Sequence, residues 1–277
     1  MQTLLLILQY PFLWRALVVG LLVSLCSALL GVPLVLRRYS MIGDGLSHVG
    51  FGALAIAAAL HWAPLPVAIP AVVLAAFLLL RTDSVKLRGD AAIALLSTGC
   101  LAVGVLAVSL GGSNADLMNY MFGSILVLDS TDVIMSLALS AVVLPGFAWF
   151  YHRVFSVTFD ESFARATGIR TSWYQLLMAV LASCTVVLGM RMLGTLLISS
   201  LVIFPALISM RVCKSFRSVV LCSAVVSVVC FLLGFGVSCL GARGLPTGAT
   251  IVAVNLCAFG LFSLVGWVRA RRRALHG

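Results

Sequence analysis

The chain has 277 residues, is 62% hydrophobic and only 9% charged, and has a mean hydropathy of +1.19. Soluble domains are about half apolar and a quarter charged, so these values describe an integral membrane protein with no stretch left for a soluble domain. The net charge of +10 does not indicate nucleic-acid binding, because the basic residues fall in short clusters between apolar runs instead of forming a continuous patch.

The N-terminal stretch MQTLLLILQYPFLWRALVVGLLVSL lacks a basic start and a small-residue cleavage site and carries Arg15 inside it, so it reads as retained rather than as a secretory signal. Apolar runs follow over residues 16–36, 41–60, 63–80, 91–110, 133–151, 173–190, 193–210, 219–240 and 247–268. Each is long enough to cross a hydrocarbon core about 30 Å thick. They predict an all-α, polytopic transmembrane bundle of about eight or nine helices, a single transmembrane domain over 1–277.

Assigning alternate loops to alternate sides puts fifteen of the eighteen Lys and Arg residues on one side, leaving Arg15, Arg191 and Arg243 on the other. Basic residues concentrate in cytoplasmic loops, so the N-terminus is expected outside and the C-terminus in the cytoplasm. Two short breaks, HWAPLP and Arg191–Gly194, could each hold a re-entrant segment. The external stretch LMNYMFGSILVL is apolar enough for a short helix at the mouth of a pore or for a loop packed on its neighbours.

The second run contains RRYSMIGDGLSHVGFGALA. Asp44 and His48 are four residues apart, so in a helix they share one face. An acid at membrane depth costs roughly 2.5 to 3.5 kcal/mol on insertion scales and marks a functional site by default. His48 is ten residues beyond Arg38, which at about 1.5 Å per residue is roughly 15 Å and half the apolar thickness. Gly43, Gly45, Ser47, Gly50 and Gly52 are small enough to let another helix approach closely.

Carboxylate oxygen with imidazole nitrogen is a ligand set for Zn²⁺ that also serves Mn²⁺ or Fe²⁺. One chain supplies two such ligands, and a twofold dimer, the commonest closed assembly, would supply four. Two other readings stand beside it: the two side chains bond each other or nearby backbone, or they relay protons, since His titrates near neutrality. His61 and His276 read as interfacial or solvated. Ser199, Ser200 and Asn255 read as polar groups bonded to neighbouring helices, and the eight scattered cysteines as small hydrophobes.

The longest internal loop reads HRVFSVTFDESFARATGIRTS. Thr158 with Glu161 predicts a capping box, Asp160 and Glu161 place negative charge on a first helical turn, and Gly168 ends it. A cytoplasmic amphipathic helix of about eight or nine residues within 157–168 is expected to present Phe159, Phe163 and Ala164 to a partner. No G-x-x-x-x-G-K-[ST] phosphate loop occurs, so the chain is not expected to be an enzyme, and any ATP-driven motor is a separate polypeptide.

Four segments taken in order resemble the permease subunit of the ABC-3 family, the membrane component of bacterial zinc and manganese ABC importers. YPFLWRALVVGLLVSLCSALLGVPLVLRRYSMIGDGLSH is similar to its first span and its D-x-x-x-H second span, and DLMNYMFGSIL to its external segment. FDESFARATGI is similar to its cytoplasmic coupling helix, and MRMLGTLLISSLVIFPAL, which ends around Pro205, to its glycine-to-proline seventh span. The resemblance implies a multi-pass protein of the inner membrane that pairs with a second permease copy. It also implies two cytoplasmic ATPase subunits gripping the helix from Thr158 to Gly168 and an extracytoplasmic metal-binding protein that delivers the ion.

On this reading Asp44 and His48 line the path of a transported Zn²⁺, next Mn²⁺ or iron, and no cofactor is permanently bound. Two alternatives remain on the residues alone. One is a proton-coupled metal carrier using Asp44 and His48 as its relay. The other is a non-transporting scaffold, for which a carboxylate inside the membrane has no use.

Overall fold

The computed structural model describes residues 11–37, 41–81, 89–110, 128–240 and 245–275. The predicted external segment of 116–127 therefore lies outside the described residues, as do Arg38, Lys86, Arg88, Arg243 and His276. Apolar sequence inside a membrane must satisfy its backbone internally, which leaves helices as the way to cross. Helices are what the described residues form: α1 (Pro11–Leu36), α2 (Ile42–Ala59), α3 (Pro64–Arg81), α4 (Gly89–Leu110), α5 (Ser130–Phe159), α6 (Glu161–Ala166), α7 (Thr171–Leu193), α8 (Thr195–Val212), α9 (Phe216–Leu240) and α10 (Thr247–Leu275).

Eight of these are long and apolar enough to cross a membrane, and α3 contributes a shorter apolar stretch, Pro64–Leu79. The chain is a polytopic, multi-pass membrane protein. Both predicted breaks are plain tight turns. Between α2 and α3 the amides of His61 and Trp62 bond the carbonyls of Ala58 and Ala57. Between α7 and α8 only Gly194 intervenes, at φ +89°, a backbone conformation that glycine adopts without the steric cost other residues meet. Neither break holds a re-entrant segment.

Two helices form the centre. α1 packs on α5, α7, α8 and α9, while α2 is enclosed by α3, α4, α7 and α8. Their shared core includes Val19, Val23, Leu46, Phe51, Leu54, Met190, Leu193, Ile198 and Phe231. By contrast α4, α5 and α10 turn Leu106, Leu110, Trp149 and Leu261 outward, as apolar side chains facing lipid tails do.

Close approach is set by small residues, because lipid is as apolar as a leucine side chain and backbone proximity must supply the van der Waals energy instead. A Cβ on Gly31 of α1 would collide with the carbonyl oxygen of Val202 in α8. Buried hydroxyls cross the same contacts: Ser227 of α9 donates to the Ser24 carbonyl of α1 at 3.0 Å, and Ser183 of α7 to the Val72 carbonyl of α3 at 3.3 Å. All eight cysteines are free.

Candidate functional site

Asp44 occupies the first turn of α2, where the aligned peptide dipoles attract negative charge, and His48 follows one turn later. The chain makes a turn at Met41 before α2 begins. At about 1.5 Å per residue the two Cα positions therefore stand roughly 3 and 9 Å along the helix from Ile42.

His48 Nε2 is 3.6 Å from Asp44 Oδ2, and the side chains are 20% and 40% exposed. His48 Nδ1 is buried without a hydrogen-bond partner, so Nε2 is the nitrogen turned toward the carboxylate. Zinc takes imidazole nitrogen at about 2.0 to 2.1 Å and carboxylate oxygen at about 2.0 to 2.2 Å. An ion can therefore sit between Oδ2 and Nε2 with little movement of either. Among the described residues no group of three or more His, Cys, Asp and Glu could enclose a metal, so the pair offers two ligands and an open side.

The small residues around the pair form two stripes on α2, spaced by seven. Gly45 and Gly52 face α4, where an added Cβ would lie 2.7 Å from Ile93 Cγ2 and 2.7 Å from the Cys100 carbonyl oxygen. Gly43 and Gly50 face Val202 of α8 and Met190 of α7, at 3.2 and 3.1 Å from the added Cβ. At 3.6 residues per turn these stripes flank Asp44 and His48 on either side. Helices thus pack against both flanks of the pair and leave its own stripe partly uncovered.

Ser47 Oγ donates to the Asp44 carbonyl at 2.7 Å and lies 3.3 Å from Ser199 Oγ of α8. Ser199 in turn reaches the Thr195 carbonyl, and Ser200 the Leu197 carbonyl. The hydroxyl contact joining α2 to α8 beside Asp44 and His48 is not visible in the sequence, since the two serines are 152 positions apart. Pro205 is buried in α8, its carbonyl accepting from Ser209 Oγ. Asn255 donates to the Ile251 carbonyl within α10, and His61 is exposed at the end of α2.

The internal helix differs from its sequence-based expectation in three ways. α5 runs on to Phe159, so Thr158 is still inside it and donates to the Val154 carbonyl at 2.6 Å; Thr158 and Glu161 form no capping box. The N-cap is Asp160, whose extended backbone breaks the two helices apart and whose carboxylate accepts from the Phe163 amide at 2.9 Å. That amide, then the Ser162 hydroxyl, hold the Asp160 carboxyl below its ordinary value.

Second, α6 spans six residues, Glu161–Ala166, rather than eight or nine. Gly168, at φ +85°, closes it. Third, Ala164 does not face outward: it is buried with Val157 and Tyr174. Phe159 and Phe163 are exposed, as expected.

Sequence reasoning treated Arg37 as an orientation marker and passed over Tyr174 and Gln175. All three hold this region together. Arg37 Nη2 lies 2.9 Å from Glu161 Oε2, Gln175 Nε2 donates to the same oxygen at 2.8 Å, and Arg153 Nη1 donates to the Tyr174 hydroxyl at 2.6 Å. Glu161 already has a partner in its own helix, Arg165 four positions on, so nothing local in the sequence signals its contact with Arg37.

Comparison with known proteins places these features in a family context. The model of the family described as the ABC 3 transport family matches residues 9–266. A probable metal transport system membrane protein of Thermotoga maritima is 34% identical over 91% of this chain and 89% of its own length. The high-affinity zinc uptake system membrane protein ZnuB of Haemophilus influenzae is 28% identical, over 92% of this chain and 98% of its own. The manganese import system permease protein ScaB of Streptococcus gordonii is 27% identical, over 91% and 90%. Among solved structures, a chain of PsaBC from Streptococcus pneumoniae in complex with Fab superposes with a TM-score of 0.82 at 26% identity, covering 92% of each chain.

Proposed function

This chain belongs to the ABC 3 transport family, and from that membership we propose that it is the permease subunit of an ATP-driven importer of a divalent transition metal, zinc first and manganese or iron next. The observation that carries the reading is the Asp44–His48 pair, a carboxylate oxygen and an imidazole nitrogen 3.6 Å apart with an open side. Hard oxygen with borderline nitrogen suits Zn²⁺ and Mn²⁺ alike. The zinc and manganese systems named among its relatives support the same metal class.

Two ligands hold a passing ion weakly, which suits a cargo that must leave again. A second copy presenting the same stripe across a twofold axis completes four ligands while both Asp44 and His48 are engaged. The N-terminus then faces out and the basic loops face the cytoplasm of a bacterial inner membrane. Two ATPase subunits contact Phe159, Asp160, Phe163 and the turn at Gly168, and an extracytoplasmic protein delivers the metal. The domain is a single unit over 1–277, with α6 and its flanks in 157–168 as the coupling element.

The test is uptake of ⁶⁵Zn²⁺ and ⁵⁴Mn²⁺ into proteoliposomes holding the chain with its ATPase and binding-protein partners. ATP-dependent accumulation of at least one ion supports the reading. Accumulation by the chain alone, driven by a proton gradient without ATP, overturns it in favour of a proton-coupled carrier.

A further inference from the structure

Glu161 opens α6, yet its carboxylate turns back into the bundle instead of toward the face that Phe159 and Phe163 expose. Oε2 is 2.9 Å from Arg37 Nη2 and 2.8 Å from Gln175 Nε2, and Oε1 accepts from Arg165 Nη2 at 2.9 Å. Arg37 Nη2 also donates to the Val157 carbonyl at 2.9 Å, in the last turn of α5. One carboxylate therefore ties α6 to the end of α1 and to α7.

The Arg37–Glu161 side chains are 16% and 35% exposed, unlike the Arg165 contact, where the arginine is 69% exposed. Hydrogen bonds between ionised partners are roughly twice as strong as neutral ones, and exposure weakens such a pair through water and salt. Of the two arginines, Arg37 makes the firmer link.

Its place in the chain gives that link a direction. Arg37 comes directly after α1, with its amide bonded to the Pro33 carbonyl, and Asp44 follows seven positions later in the first turn of α2. An element that shifts α6 pulls on Arg37, and in the sequence Arg37 comes five positions before Ile42, where the helix carrying both metal ligands begins.

We propose that Arg37 and Glu161 are the positioning pair that carries movement of α6 to the first turn of α2, and so to Asp44 and His48. This rests on the reading of α6 as the ATPase contact. A static anchor would hold α6 in place equally well, so the test must read transmission rather than assembly.

The complex of this chain with its ATPase and binding-protein partners is reconstituted in proteoliposomes, and ⁶⁵Zn²⁺ or ⁵⁴Mn²⁺ uptake is measured together with ATP hydrolysis. In Glu161→Gln and in Arg37→Gln the ATPase subunit still copurifies and hydrolyses ATP, while metal moved per ATP falls about tenfold. The double variant is no worse than either single one, the non-additivity expected of two partners in one contact. Arg165→Gln lowers the ratio less than threefold.

The proposal is overturned by an unchanged ratio in Glu161→Gln, by losses that multiply in the double variant, or by a loss in Arg165→Gln equal to that in Glu161→Gln. Loss of the ATPase subunit from both single variants overturns it too, in favour of the static anchor. A wild-type complex without ATP-driven uptake of either ion defeats the transporter reading itself, and this inference with it, before any variant is compared.

Discussion

Gly52 of α2 and Cys100 of α4 are so close that a Cβ on the glycine would stand 2.7 Å from the cysteine carbonyl oxygen. Backbone cannot swing aside as a side-chain tip can, so Gly52→Ala must push α2 and α4 apart. Overpacking of this kind costs about 1 to 3 kcal/mol. Gly99, next to Cys100, has nothing within 4 Å of an added Cβ. Gly99→Ala should be neutral or stabilising by up to about 1 kcal/mol through helix propensity. Thermal unfolding of the two variants in detergent checks the contrast, and equal melting temperatures would contradict the packing described.

The proposed ligand role of Asp44 and His48 is tested by Asp44→Asn and His48→Ala. Asparagine keeps the size of Asp44 and removes its charge, and alanine removes the nitrogen 3.6 Å away. Losing a residue that merely supports a ligand typically costs 10- to 100-fold in metal affinity or activity, so losing a ligand should reduce uptake by more than about 100-fold. Both variants should still insert and copurify with the ATPase subunit. Uptake within threefold of wild type in either would remove that residue from the metal path.

Gly168 closes α6 with φ at +85°, and a Cβ added there would meet nothing within 4 Å. Only backbone strain therefore opposes a side chain there. Gly168→Ala should cost about 1 to 2 kcal/mol, and Gly168→Asn less, since asparagine tolerates this region best among the other residues. Protease cleavage between 160 and 170 should be fastest in the alanine variant, intermediate in the asparagine variant and slowest in wild type. Any other order argues against the turn.

Asp160 holds the start of α6 through the Phe163 amide, and its carboxyl is kept below its ordinary value by that bond and the Ser162 hydroxyl. A lowered value in the folded state means the cap contributes above the ordinary carboxylate range and fades only as pH falls through the lowered value. Near neutral pH the cap is fully charged, so any pH dependence of uptake there originates elsewhere. Asp160→Asn keeps a good N-cap and should couple nearly normally, whereas Asp160→Ala leaves the amide unpaired and should lower metal moved per ATP. Equal ratios in the two variants would contradict the capping role.

Much of the architecture was legible because membrane helices announce themselves by apolar length, and all nine predicted runs are helical. The Asp44–His48 spacing was equally plain, being local to one helix. What the sequence hid was contact between distant segments. Nothing in the string says that Ser47 meets Ser199, or that Arg37, a residue like any positive-inside marker, closes on Glu161. The helix start was misread for a different reason. Thr158 and Asp160 are both good caps, and the choice between them fell to α5, whose final turn extended far enough to absorb the threonine.

The brevity of α6 has a practical side. Isolated helices shorter than about 12 to 15 residues are marginal in water, and this one has six. Its shape is lent by Arg37, Gln175 and the packing under Ala164, none of which travels with an excised fragment that keeps only the Asp160 cap. A synthetic peptide copying 160–168 will therefore be a coil and a poor competitor for the proposed ATPase partner, and a useful mimic must be locked into helical form by chemistry that stands in for those three supports.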